Sequence, residues 1–357
     1  MSNWKDYALT GAEGQRKIDS GLAGAEWYQT PIPRKEMKAL MKRRDGPAIR
    51  DTLIWFAILL TLGTAVWMSW GTWLLFVPIF LVYSIFYGSC GDSRWHECGH
   101  GTAFRTQWMN RAVYHFASFL VLRNGTLWRW SHSRHHTDTI IVGRDPEIAV
   151  MRPPDFPGLF LNLFYIHDGW NQGSRMVRLA FGSMREDEKD FVPESERWKV
   201  IMEARIQAAV LIAVGLWAYA IGSLLPFFLF GLPTFFGAWM DVVFFGFTQH
   251  AGLAEDVLDH RLNTRTVYMN PVFRFIYWNM NYHVEHHMFP MVPYHALPKL
   301  HEAMKHDTPP PYPSTLAAWR EILPALWRQW RDPEHFVIRR LPATARPYNM
   351  PAAVPAE

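Results

Sequence analysis

What the chain lacks narrows it first. It has two cysteines, Cys90 and Cys98, among 357 residues, so no disulfide framework holds it together and a reducing compartment suits it. No Asp, Glu, Lys or Arg occurs from Thr52 to Gly91, a run of 40 residues, or from Ile206 to Met240, a run of 35. A single bilayer crossing takes about 20 apolar residues. Each run is therefore long enough for two short crossings and too long for one. Ser69-Trp70-Gly71-Thr72 supplies a turn in the first run, and Gly222-Ser223 through Pro226 supplies one in the second. The competing reading, pairs of buried helices in a soluble core, does not need runs of this length. Both runs also lack histidine. No cleavable signal peptide is evident, because the first 50 residues are polar and charged, and no repeat of solenoid length is present.

The excess of positive charge is small. A net charge of +4 implies no nucleic-acid partner and is better explained by a positive-inside bias. Residues 1–50 carry ten Lys or Arg against six Asp or Glu, and Arg34, Lys35, Lys38, Lys42, Arg43 and Arg44 crowd the approach to the first apolar run. Pro33 to Met41 places Met37, Leu40 and Met41 on one side of a possible helix with bases on the other, as an interfacial helix on the cytoplasmic leaflet would. With the N-terminus inside, two crossings return the chain to the cytoplasm near Gly88. Ala112 to Leu122 is too short to span and is expected near the interface. Arg185 to Lys189 reads as a solvated loop, and the Pro/Ala-rich C-terminal end as irregular. Three segments result: 1–50 cytoplasmic with the interfacial helix, 51–305 carrying membrane and chemistry, and 306–357 as a tail.

What is abundant is histidine in clusters. Of sixteen histidines, eight fall in three groups: His96-x3-His100, His132-x2-His135-His136 and His283-x2-His286-His287. Offsets of three and four share one helix face, so the imidazoles of a group are expected to converge. Each group follows an even number of crossings, so all lie on one side of the membrane and can meet. A catalytic zinc needs three protein ligands and a structural one four, so eight point to two metals. Imidazole suits iron, copper, zinc and nickel. Two irons with open positions could share the electrons needed to split dioxygen. His115, His167, His260, His295, His301, His306 and His335 stand alone and read as structural or surface residues. Glu97, Glu285, Asp138, Asp145 and Glu147 lie close enough in sequence to the groups to receive a ligand's second N–H.

The three groups, with Asn281-Tyr282-His283-Val284-Glu285-His286-His287-Met288-Phe289-Pro290 followed by Pro293-Tyr294-His295 and Leu297-Pro298, make residues 50–305 resemble the membrane fatty acid desaturase and hydroxylase superfamily. The resemblance implies an all-α integral membrane fold: four transmembrane helices as two hairpins, capped by a cytoplasmic histidine-rich helical domain holding two non-haem irons. It implies a ninth ligand just after the fourth crossing, where His250 stands. An Asn that acyl-CoA desaturases carry four residues before it is replaced by Gly246, and the first group has a spacing of three. In both respects the chain is similar to the acyl-lipid desaturase and alkane hydroxylase branches. Dioxygen would be co-substrate. No fused haem domain is expected, since no His-Pro-Gly-Gly occurs. Electrons would come from a ferredoxin, rubredoxin or cytochrome with its reductase, drawn by basic residues such as Arg34, Lys35 and Arg129. The expected reaction is insertion of a double bond into a fatty acyl chain of a lipid. The alternatives are hydroxylation or demethylation of an alkane, alkylarene, carotenoid or small amphiphile, and, in a different class, metal transport or storage. Transport argues for ligands inside the spans, where none is found.

Overall fold

The computed structural model describes residues 5–349, and among these no β-strand forms; two isolated bridges, Thr266 with Tyr282 and Val267 with Tyr312, are the only extended pairings. The all-helical fold expected from the sequence is what the chain adopts. Helix α1 spans Arg34–Leu40, α2 Asp45–Ser69 and α3 Trp73–Gly88. Helix α4, His96–His100, continues α3 through a π-turn at Gly91–Trp95. Helices α5, Gln107–Leu120, and α6, Gly125–Thr137, come next. Helix α7 runs Glu194–Ala220, α8 Leu232–Phe244 and α9 Gly246–His250. The last three are α10, His283–Met288, α11, Leu297–Met304, and α12, Thr315–Arg331.

Four segments are long and apolar enough to cross a membrane: residues 34–69, 73–100, 194–220 and 225–250. Their outward surfaces are unlike those of soluble helices. Leu60 is 72% exposed, Met68 79% and Leu74 91%, and helices apolar on all sides belong in lipid. The two turns read from the sequence fall where expected, between α2 and α3 and after α7.

Helices α3 and α8 approach most closely where Gly88 meets Gly237: a Cβ on Gly237 would stand 2.2 Å from the Ser84 carbonyl oxygen. Small residues at a crossing let backbones touch, and their dispersion contacts replace the hydrophobic drive that lipid cannot supply. This crossing fixes the end of α3 against the middle of α8. Gly237→Val, which forces the helices apart, is expected to lower the thermal midpoint by several degrees and to cut the yield of folded protein. A melting curve in detergent checks this.

Two local expectations are corrected. Arg185–Lys189 is not a solvated loop: Glu186–Phe191 is helical, and Glu188 is buried because Arg175 and Arg178 both pair with it. Met37 and Met41 share one face of α1, but Arg34 and Lys38 share it with them instead of lying opposite, and Leu40 is buried away from that face. Of the Ala112–Leu122 stretch, the part up to Leu120 lies within an amphipathic helix starting at Gln107, which buries Val113, Tyr114, Ala117 and Leu120. Past residue 306 the chain forms α12, whose Trp319 indole donates to the Val243 carbonyl at 2.6 Å, and Arg261 holds the carbonyls of Arg346 and Pro347 at 3.0 and 2.9 Å. The final Pro/Ala-rich residues lie outside the described residues.

Candidate metal centre

Local structure first aims the histidines. Helix α3 does not run smoothly into α4: Trp95 N–H bonds the Cys90 carbonyl five residues back at 2.9 Å. A π-turn inserts one residue and rotates the helix beyond it by about 100°. It also leaves Asp92 a turn before His96, with Oδ1 accepting from Nδ1 at 2.9 Å. Asn124 caps α6 by accepting from Leu127 N–H at 2.9 Å. Before α10, Trp278 and Asn279 both adopt left-handed φ, 49° and 56°. This conformation is costly for side chains of that size. It is held by Trp278 stacked on Tyr294 with centroids 4.2 Å apart, and by Asn279 donating to the Tyr294 carbonyl at 3.1 Å.

All nine expected residues meet, but not at one point. His96, His100, His132, His136 and His286 form one cluster, and His135, His250 and His287 a second, each with its ring nitrogens within 4.8 Å of one another. His283 joins the second through its Nε2, 3.1 Å from that of His287, and its ring lies 5.1 Å from that of His250. The expected convergence of each group is therefore corrected for the second and third. On a helix, offset four brings a residue to within about 40° of the first, whereas offsets three and four lie about 100° apart. So His132 and His136 stay together, as do His283 and His287, while His135 and His286 cross to the other cluster.

The electrostatics fit bound metal. In the first cluster, His132 Nε2 lies 3.0 Å from His96 Nε2, 3.1 Å from His100 Nε2 and 3.1 Å from His136 Nε2. His286 Nε2 lies 2.9 Å from that of His96 and 3.2 Å from that of His136. The N–H of His96 is committed at Nδ1 to Asp92, and that of His132 at Nδ1 to Glu147, 2.8 Å away. Their Nε2 atoms then oppose lone pair to lone pair, which repels unless a cation sits between. Nitrogens on right-angle corners around one ion, with bonds of about 2.1 Å, lie about 3.0 Å apart, the spacing found. In the second cluster His250 donates Nδ1–H to the Asn263 carbonyl at 2.8 Å, and its bare Nε2 is buried without a partner. Such an atom costs about 1–3 kcal/mol unless something binds it.

Burial holds His132, His136, His283, His286 and His287 well below the ordinary histidine value, so they stand neutral, as ligation requires. His135 differs. Burial opposes its charging too, but Asp145, 2.8 Å from Nδ1, with Glu147 and Asp92, outweighs burial and raises it.

Two of the five candidate carboxylates touch ligand candidates: Asp145 and Glu147. The other three do not. Glu97 accepts from Thr102 Oγ1 at 2.7 Å and from Tyr294 N–H at 3.0 Å; Tyr294 also donates to Asp51 at 2.7 Å, so Tyr294 ties α2 and α4 to the segment after α10. Glu285 bonds His301 Nδ1 and Thr266 Oγ1, both at 2.6 Å, and anchors α10. Asp138 accepts from Gly24 N–H at 2.8 Å. Sequence reasoning missed Asp92 and Asn263. Asp92 carried a readable signal, its place four residues before His96; Asn263 carried none, because it acts through its carbonyl. The Nδ1 atoms of His136, His283 and His286 have no partner. Of the lone histidines, His260 stacks on Trp27 at 4.2 Å and its ring reaches within 5.0 Å of His287. It borders the site.

A cavity of about 360 Å³ opens onto the first cluster, lined by His100, His132 and His136 with Trp128, Arg129, Pro290 and Met291. Losing a carboxylate that orients a ligating imidazole typically costs 10–100-fold in metal affinity. Glu147→Ala is expected to do so here, with helicity unchanged by circular dichroism; unaltered affinity would deny Glu147 that role.

Known proteins resemble the chain over the region that carries these clusters. The family model for fatty acid desaturase matches residues 70–319. A Δ9 fatty acid conjugase-like enzyme of Dimorphotheca sinuata is 24% identical over 294 residues, covering 70% of this chain and 76% of that protein. A chloroplastic sn-2 acyl-lipid omega-3 desaturase (ferredoxin) of Arabidopsis thaliana is 25% identical over 72% of this chain and 60% of its own length. An sn-1 acyl-lipid omega-3 desaturase (ferredoxin) of Nostoc is 24% identical over 64% of this chain and 69% of its own. The chain thus spans well under the full length of some relatives it matches. The family match covers more than half of the chain and contains every histidine of both clusters: the protein belongs to the fatty acid desaturase family.

Proposed function

We propose that this oxidoreductase-family chain is an integral membrane, non-haem diiron, dioxygen-dependent desaturase that introduces a double bond into a fatty acyl chain. One observation carries the proposal: Nε2 of His96 and Nε2 of His132 lie 3.0 Å apart while each Nδ1 sits within hydrogen-bond distance of a carboxylate. His96, His100, His132, His136 and His286 would hold one iron, and His135, His250, His283 and His287 the other. Bound iron would supply dioxygen activation and removal of hydrogen from an unactivated C–H bond, using two external electrons.

The rest falls to the chain. Asp92, Glu147 and Asp145 orient imidazoles by accepting their Nδ1 protons. Trp128, stacked on His132 at 4.2 Å, and buried Met288 keep the cluster surroundings apolar, which limits water at the reacting carbon. Substrate enters by the cavity beside His100, His132 and His136. The four long helices form two membrane hairpins, with the N-terminus, the C-terminus and the histidines on the cytoplasmic side, in keeping with the basic residues before α2. The donor is a small acidic electron carrier; the Arabidopsis and Nostoc relatives are named as ferredoxin enzymes, and a rubredoxin or cytochrome has the same charge logic. Product analysis under ¹⁸O₂ with a matched reductase tests the reaction. An alkene without label is expected, and label retained in an alcohol would replace desaturation by hydroxylation.

A further inference from the structure

A second depression lies beside the site. It is a groove of about 840 Å³ lined by Gln29, Thr30, Pro31, Ile32, Arg34, Met37, Lys38, Met41 and Phe289. Its size is that of a ligand site, and its walls are mostly apolar. Arg34, Met37, Lys38 and Met41 stand at offsets of three, four and seven, so α1 and its C-terminal cap turn one face to the groove. Glu36, the acidic residue of α1, falls about 200° from Arg34, on the far side. Arg34 and Lys38 are exposed and make no hydrogen bond or ion pair among the described residues. Two free cations rim an apolar groove. That chemistry fits an anionic head with an apolar chain.

Its position narrows the occupant. Only residues 41–44 separate α1 from α2, and both lie in one span-length segment, residues 34–69, so the groove sits where lipid headgroups meet the first crossing. Its inner wall is Phe289. The next two residues, Pro290 and Met291, line the cavity over His100, His132 and His136. Groove and cavity therefore share the wall Phe289-Pro290-Met291. Gln29 fixes this wall by donating to the Met288 carbonyl at 3.1 Å. Buried Thr30 donates to Asp307 at 2.7 Å, which ties down the floor.

Resting on the function proposed above, we infer that the groove docks the phosphate of an anionic phospholipid on Arg34 and Lys38, and that one acyl chain of that lipid crosses Phe289-Pro290-Met291 into the histidine-lined cavity. Substrate is thereby selected by head charge. The bilayer is the source, so the lipid approaches sideways and not from water.

The test uses the purified full-length protein in mixed micelles, titrated with pyrene-labelled phosphatidylglycerol and phosphatidylcholine. Phosphatidylglycerol is expected to bind at least about tenfold tighter, because both lipids offer a phosphate but the choline ammonium of phosphatidylcholine is repelled by Arg34 and Lys38. The double variant R34Q/K38Q loses that preference with iron content unchanged, whereas K35Q/K42Q, on cations outside the groove lining, keeps it. Phosphatidylglycerol bearing a diazirine in its chain crosslinks to the peptide containing Phe289–Met291. Equal binding of both lipids by the unaltered protein overturns the inference, as does equal loss in both variants, which would signal a general surface charge. Self-association abolished by R34Q/K38Q without lipid preference would give the groove to a second copy and overturn it also. Binding needs no turnover. Inactive protein that still selects phosphatidylglycerol would sink the diiron reading and leave this one standing.

Discussion

Alanine at His286 is expected to empty the five-histidine cluster and to end turnover. His286 Nε2 is the atom that closes the ring of contacts between His96 and His136, at 2.9 and 3.2 Å, and its removal leaves four nitrogens gathered on one side. Buried, neutral imidazoles that face each other have no other partner to turn to. Iron measured by mass spectrometry should fall from about two per chain to about one, since the His135, His250 and His287 cluster keeps its own contacts. Because both metals share the work in the proposed reaction, turnover should drop by about a thousandfold or more, as for groups that act as a unit. His135→Ala is the mirror experiment and should spare the first cluster. Full iron content and full activity in either variant would refute the assignment of metals.

Chelation is expected to destabilise the protein strongly. A ligand that binds only the folded state contributes about 4 kcal/mol at a concentration a thousandfold above its dissociation constant. Two sites held by nine residues from α4, α6, α9 and α10 add that stability across segments far apart in sequence. In a chain of this size about 1 kcal/mol moves the thermal midpoint by roughly 1–2 °C, so stripping one iron should lower it by about 5 °C. Removing iron also restores lone-pair repulsion at His96–His132 and strands His250 Nε2. Re-adding ferrous iron should restore the midpoint, and zinc should restore it without restoring turnover. An unchanged midpoint after verified removal of metal would mean that the clusters are satisfied empty, and the fit argued from their geometry would fail.

The two results would separate layers of the molecule that differ in how they were readable. The four apolar helices were legible because lipid imposes a local rule: an uncharged run either spans or does not. The nine histidines were legible for a similar reason, since spacing of three and four is a property of one helix and the His250 position comes from the family pattern. The carboxylates were half legible. Asp145 and Glu147 reach His135 and His132, while Glu97 and Glu285 point away to Tyr294 and His301, because each sits about 100° around its helix from the adjacent histidine. Arg185–Lys189 misled for the opposite reason: its Glu188 is pinned by Arg175 and Arg178, which lie in another helix.

The chain by itself determined an all-helical, membrane-associated desaturase-family protein with three histidine groups. The apolar spans and the histidine groups rest on composition and periodicity within short windows, whereas the all-helical fold and the family rest on the resemblance of residues 50–305. Only the tertiary structure decided which histidines share a cluster. His136 sits one residue from His135 and His287 one residue from His286, yet each pair divides between the two clusters, because about 100° of helical rotation separates them and the partners come from other helices. The Gly88–Gly237 crossing and the π-turn after Cys90 set where those partners stand, and the shared wall at Phe289–Met291 sets what can reach them. These are contacts between distant segments, and no local pattern encodes them.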